Sequence, residues 1–181
     1  VSQIELLAAL LVDKAGGTLS INSLREDLKC SHEAVSRWIS ILENVYYCYR
    51  ISPYGNSKIK ALKKEQKLFL WDWSTLSSRG SKFENLVASN LLKYCHFHED
   101  VHGEEMELRY IRDKEKREID FVVLRDGKPE FAVECKSGEK SLSKHIPYFS
   151  ERTDIPVFYQ VHMGEKWNQI DKHRAQIIPM T

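Results

Sequence analysis

The chain has 181 residues, 42% of them hydrophobic, with 27 Lys and Arg against 26 Asp and Glu and a formal net charge of +1. That length suffices for one medium core or two small ones, and the even charge balance excludes a uniformly basic nucleic-acid coat. The best apolar run, Ile4 to Val12, is interrupted by Glu5 and falls short of the roughly 18 apolar residues of a membrane span, so no membrane partner is expected.

Ile4, Leu7, Ala8, Leu11 and Val12 lie on one face of an amphipathic helix that Gly16-Gly17 should end. Ile21, Leu24 and Leu28 predict a second short helix. Ser31 is placed to cap a third, whose apolar stripe is Val35, Trp38, Ile39 and Leu42. Tyr46 to Ile51 reads as a strand, Pro53-Tyr54-Gly55-Asn56 as a turn, and Lys58 to Leu70 as a second extended segment. Three helices followed by a hairpin is the order of a winged helix-turn-helix, whose third helix enters a major groove. Between Tyr46 and Lys67 the chain carries six Lys and Arg against Glu65 alone, a local excess of +5. A wing so charged suits phosphate contact through Lys58, Lys60 and Lys63, with Arg37 on the third helix. A solvated basic connector or a protein-docking module fits the same residues.

From Trp71 onward the pattern changes. The breaker cluster Ser77 to Ser81 precedes a helix marked by Phe83, Leu86, Val87, Asn90, Leu91 and Tyr94. Met106 to Ile111 alternates as a strand, and strands over 117–124 and 130–136 are joined through Asp126-Gly127, a hairpin signal. A helix over 142–152, confined by Pro147, and an apolar strand over 157–161 complete the order αβββαβ. One hairpin and one helical crossover imply a mixed sheet with helices packed on it.

Three charged residues interrupt the apolar hairpin: Asp120 between Ile119 and Phe121, Glu134 between Val133 and Cys135, and Lys136. Side chains two apart on a strand share a face. A loop of odd length centred on Gly127 would set Asp120 directly opposite Glu134, with two carboxylates on one face. A divalent cation relieves their repulsion, and oxygen-only ligation suits Mg²⁺ or Mn²⁺. Lys136 would then stabilise charge developing at a phosphoryl group, the equipment of metal-dependent phosphodiester hydrolysis. Glu84 on the preceding helix is a candidate fourth member. Taken singly, Glu134 and Lys136 also fit an exposed strand pair, and Glu84 a charge on a helix surface.

Phe83-Glu84-Asn85, Arg117-Glu118-Ile119-Asp120-Phe121 and Glu134-Cys135-Lys136 resemble the PD-(D/E)xK nuclease superfamily, which includes restriction endonucleases and archaeal Holliday-junction resolvases. With Ser31 to Trp38 before Leu42-Glu43, Lys67 to Asp72, and Ala132 to Gly138, the chain as a whole resembles the C-terminal region of bacterial and archaeal AAA-type ATPases. There a winged helix is followed by a nuclease-like domain of unknown function. The resemblance implies an α/β (α+β) architecture, with a winged helix-turn-helix over 1–67 and a restriction-endonuclease-like domain with a mixed central sheet over 68–181. It further implies Asp120 and Glu134 as metal ligands for Mg²⁺ or Mn²⁺, Lys136 as the catalytic lysine and Glu84 as an accessory acid. DNA, an ATPase module of the same longer chain and a second copy of the chain are the partners it implies. A catalytically silent DNA- or protein-binding tail that regulates or assembles the ATPase is the alternative. Ile119 stands where the superfamily has its nominal Pro, which leaves the following carboxylate in place.

His96, His98 and His102, with Glu99 and Asp100, are expected in an exposed loop and match no zinc spacing. Trp71 and Trp73 would share a strand face, stacking on bases or packing between the two halves. Arg109, Arg112, Lys114, Lys116 and Arg117 form a stretch that either lines a phosphate path or is a solvated loop. Cys30, Cys48, Cys95 and Cys135 are scattered without a CxxC pair, which fits a reduced, cytoplasmic setting. The start at Val1 carries no secretory signal and suggests a piece of a longer protein. With neither GxxxxGK(S/T) nor GxGxxG in the sequence, any nucleotide-driven motor is expected elsewhere.

Overall fold

The computed structural model describes residues 2–55 and 65–180. Among them are five α-helices and eight β-strands in a mixed α/β fold. The chain divides into two compact units, Val1–Ile51 with Glu65–Asn85, and Ser52–Lys64 with Leu86–Thr181.

In the first unit, α1 (Gln3–Lys14), α2 (Ile21–Leu28) and α3 (His32–Asn44) form where the periodicity predicts them. Each starts on a serine whose hydroxyl accepts an otherwise unpaired N–H of the first turn: Ser2 from Glu5, Ser20 from Ser23 and Ser31 from Ala34. In α1 the Glu5 carboxylate also accepts from Ser2 N–H, completing a capping box. The stripes Leu7 and Leu11, Leu24 and Leu28, and Val35, Ile39 and Leu42 meet in one core with Cys48, Leu68, Leu70 and Leu76.

Strands β1 (Cys48–Pro53) and β2 (Lys67–Leu70) pair antiparallel, with Cys48 opposite Leu70 and Ile51 opposite Lys67. Tyr46 and Tyr47 are not part of the strand, contrary to the sequence expectation. Tyr46 turns the chain at φ +57°, and Tyr47 N–H donates to the Leu42 carbonyl at 2.9 Å to close α3. Of the extended segment expected from Lys58, only Lys67–Leu70 is a strand among the described residues; Lys58, Lys60 and Lys63 lie outside them. Trp71 follows β2 and packs on the rings of Tyr46 and Tyr49, at 5.5 and 5.2 Å between centroids. Trp73 opens a 3₁₀ turn, so the two tryptophans share no strand face.

The long helix α4 (Arg79–His102) starts inside the serine-rich cluster, because the Ser78 hydroxyl caps it by accepting from Ser81 N–H at 3.1 Å. Its 24 residues also take in His96, His98, Glu99, Asp100 and His102, which corrects their expected place in a loop. Among the described residues no helix is long and apolar enough to cross a membrane.

The second unit is built on a mixed sheet. Its strands are β3 (Met106–Arg112), β4 (Glu118–Arg125), β5 (Lys128–Lys136), β6 (Phe158–His162), β7 (Asn168–Ile170) and β8 (Ala175–Pro179), in the order β3-β4-β5-β6-β8-β7. Ser52 and Pro53 pair in parallel with Arg109 and Tyr110 at the β3 edge. Strands β3, β4 and β5 form an antiparallel meander, β5, β6 and β8 run parallel, and β7 returns antiparallel to β8. The short helix α5 (His145–Ser150) lies between β5 and β6 in the chain, with Pro147 in its first turn, where the missing N–H breaks no helical hydrogen bond. Ile146 and Phe149 of α5 pack with Ile111, Val122, Ala132, Ile155 and Phe158 in the core of this unit. The predicted succession of one helix, three strands, a helix and a strand is present, extended by β7 and β8.

Candidate functional site

Asp126 and Gly127, at φ +50° and +73°, form a two-residue hairpin turn, so Arg125 pairs with Lys128 and Leu124 with Pro129. The odd loop centred on Gly127 is therefore corrected. The register shifts between Val123 and Leu124, and from Val123↔Phe131 onward it runs through Val122↔Ala132 to Phe121↔Val133. Glu130 is thus the extra residue of a β-bulge. One step beyond Phe121↔Val133, the same register brings Asp120 opposite Glu134.

There the Asp120 side chain takes over from the backbone ladder: its Oδ2 accepts from Cys135 N–H at 2.8 Å. Glu134 is only 4% exposed. Its Oε1 accepts from Lys136 Nζ at 2.6 Å and from Ser143 Oγ at 2.9 Å, while Oε2 is buried with no hydrogen-bond partner. Burying a carboxylate is costly unless it is paired, and the Lys136 ammonium supplies the compensating charge. The β5 and β6 strands run parallel here, with Glu134 beside Gln160 and Lys136 beside His162. The group therefore lies at the carboxyl ends of parallel strands, where open α/β sheets bind ligands.

The structure thus joins Glu134 to Lys136 and ties Asp120 to the backbone between them. Glu84 belongs to the first unit, where it accepts from the buried Lys67 Nζ at 3.3 Å. Arg37 is exposed on α3. The expected basic stretch is largely matched by acids: Arg109 pairs with Glu107, Arg112 with Glu118, and Arg117 with Asp113 and Glu115. Although burial pushes the Asp113 carboxyl up, the Arg117 side chain and backbone hold it below its ordinary value. His98 Nδ1 lies 2.7 Å from Glu104 Oε2. All four cysteines are free thiols, and burial pushes those of Cys48 and Cys95 up to about 12.

Sequence reasoning missed Ser143 and Gln160. The signal for Gln160 was a lone amide in the apolar run Val157 to Val161. Ser143, in an irregular segment, had none.

Among the described residues no group of three or more His, Cys, Asp and Glu is arranged to hold a metal. Mg²⁺ and Mn²⁺ need fewer protein ligands, because one or two carboxylates suffice when water and substrate phosphates complete the shell. Asp120 and Glu134 fit that donor set: both are oxygen donors, and Glu134 Oε2 is a buried carboxylate oxygen that no protein donor satisfies.

No curated protein and no solved structure matches the chain. Residues 1–84 match a domain of unknown function (DUF8612). Residues 79–181, more than half of the chain, match a second domain of unknown function (DUF4143), which is found in AAA-ATPase-associated proteins. The chain accordingly belongs to the DUF4143 family.

Proposed function

We propose that residues 68–181 form a Mg²⁺- or Mn²⁺-dependent phosphodiesterase acting on DNA, of the restriction-endonuclease-like and Holliday-junction-resolvase-like kind, and that residues 1–67 form a winged helix that brings it to DNA. The observation that carries this reading is Glu134: a buried carboxylate with one oxygen held by Lys136 and Ser143 and the other without a partner. Asp120 and Glu134 would hold the ion. When bound, it supplies Lewis-acid stabilisation of charge on the phosphodiester.

The protein's own groups do the rest. Cys135 N–H fixes the Asp120 carboxylate near the start of β4, so its direction is set before substrate arrives. Lys136 balances Glu134 in the resting protein and offers its ammonium to the negative charge that builds on the phosphoryl group. Glu84, which the family resemblance implies as an accessory acid, pairs with Lys67 within the first unit.

The test is cleavage of linear, nicked and branched DNA with each metal. Lys136→Ala should lower cleavage by two to three orders of magnitude, about the value of one well-placed charge or donor in the transition state, while DNA affinity changes little. Asp120→Asn should abolish cleavage through weaker metal binding, with partial recovery in excess Mn²⁺. A chain that binds neither ion at millimolar concentration and cuts no DNA overturns the reading. In that case the second reading takes its place: a non-catalytic DNA- or protein-binding tail that assembles or regulates an ATPase module of the same longer chain, or pairs with a second copy. The occurrence of DUF4143 in AAA-ATPase-associated proteins favours it.

A further inference from the structure

We propose that Gln160 and Ser143 are positioning residues that lock Glu134 with Oε2 as the oxygen presented to the cation; the inference rests on the metal-dependent reading above. Gln160 is fully buried on β6, directly beside Glu134 in the parallel register, so the two side chains share a face. All of its amide's bonding is spent on one segment. Its Oε1 accepts from Ser143 N–H at 2.7 Å, and its Nε2 donates to the carbonyls of Lys140 and Ser141 at 3.2 and 3.1 Å. Residues 137–143 have no helix or strand of their own, so this amide replaces the hydrogen bonding that regular structure would give them.

The consequence falls on Glu134. With its backbone fixed by Gln160, Ser143 directs its hydroxyl to Glu134 Oε1 at 2.9 Å, the same oxygen that accepts from Lys136 Nζ at 2.6 Å. Two donors converge on one oxygen and none on the other. Rotating the carboxylate to exchange its oxygens would break both bonds inside a site with little water to replace them. Oε2 therefore keeps one direction, which is how an outer partner orients a metal ligand. A glutamine suits the task because its amide both donates and accepts without adding charge beside a buried carboxylate. A glutamate in its place would repel Glu134 and could not donate to the two carbonyls.

The experiment measures Mn²⁺ binding to the full chain by calorimetry and by electron paramagnetic resonance of the free ion, with no DNA present. Ser143→Ala is expected to weaken binding about 10- to 100-fold, the usual effect of losing an outer partner of a ligand, while Ser143→Thr, which keeps the hydroxyl, restores it. Gln160→Ala should weaken binding similarly and speed amide hydrogen exchange at Ser143, whose N–H loses its acceptor. Equal affinity in wild type, Ser143→Ala and Gln160→Ala overturns the proposal, as does a Ser143→Thr variant as weak as Ser143→Ala, because side-chain volume would then be the cause. If Gln160→Ala does not fold, the serine pair decides alone, since both variants leave the Gln160 bonds in place. Failure of the unmodified chain to bind Mn²⁺ removes the metal reading itself, a result distinct from variants that match a wild type that binds.

Discussion

A carboxylate that is 4% exposed has given up most of its hydration, and Glu134 regains donors on one oxygen only. That asymmetry separates it from Glu139, five residues on, where every contact is satisfied at the surface. Glu139 Oε2 pairs with Lys166 Nζ at 2.9 Å, and Oε1 accepts from the N–H groups of Glu165 and Lys166 at 3.0 and 3.2 Å. The Lys166 side chain, with these backbone donors behind it, holds the Glu139 carboxyl down from 4.5 to about 2. Because the Lys166 side chain is 83% exposed, water and salt screen that pair, and the two N–H donors form the more durable part of the clamp. Gly164 makes the approach possible: a Cβ there would stand 2.4 Å from Glu139 Cγ. A folded-state value below the unfolded one means that the ionised clamp contributes its full stabilisation above about pH 4.5 and loses it as pH falls towards about 2. The protection of the Glu165 and Lys166 amides, measured against the intrinsic exchange rate at each pH, should therefore fall over that window, and Glu139→Gln should remove this pH dependence. Protection that stays flat from pH 5 to about 2 would show that the carboxylate does not hold this loop.

At the level of elements, what is local was legible and what depends on pairing was not. The apolar stripes of α1, α2 and α3 and the Ser31 cap of α3 are written within a few residues, so the sequence located those helices. Strand parity likewise placed Asp120 and Glu134 opposite each other, although the reasoning about the loop was wrong. A two-residue turn alone would have moved the register by one and turned Glu134 to the other face; the bulge at Glu130 moves it back. A bulge leaves no mark in composition, and Glu130 is held in its place by Arg125 at 2.7 Å and by the Tyr94 hydroxyl at 3.1 Å, contacts that only the folded chain makes. Ser143 and Gln160 escaped notice for the same reason, since their role is a hydrogen-bond chain between an irregular segment and β6. Strands β7 and β8 are short and weakly patterned, and no strand is predicted beyond Val161. The turn itself can be tested: Gly127 sits at φ +73° with open space around a would-be Cβ, so Gly127→Ala carries backbone strain without a clash. It should cost about 1–2 kcal/mol, read as a lower urea midpoint with an unchanged slope. A midpoint equal to wild type would mean that the turn relaxes to another form.

Across the whole molecule the charge balance is nearly even, at +1, yet its distribution is not, and the structure shows which charges are already committed. Of the six basic residues between Tyr46 and Lys67, Arg50 is held by both oxygens of Glu43 at 2.7 Å, and Lys67 is buried against Glu84 at 3.3 Å. Neither is placed to track a nucleic-acid backbone. In the winged-helix reading proposed for residues 1–67, phosphate contact is assigned to Lys58, Lys60 and Lys63, with Arg37, exposed on α3, as the groove-facing cation. Each neutralised phosphate changes the slope of log K against log salt by about 0.9 on duplex DNA. Replacing Lys58, Lys60 and Lys63 together by Ala should thus reduce the magnitude of the slope by up to about 2.7 and weaken binding to the same extent on every sequence. Arg37→Ala should act differently, weakening affinity with a slope change of about 0.9 or less and with some dependence on sequence. Titrations of the full chain on two unrelated duplexes between about 50 and 200 mM salt separate these outcomes. If the triple variant keeps both the affinity and the slope of wild type, the lysines do not meet phosphate, and this basic segment is then a surface for docking protein.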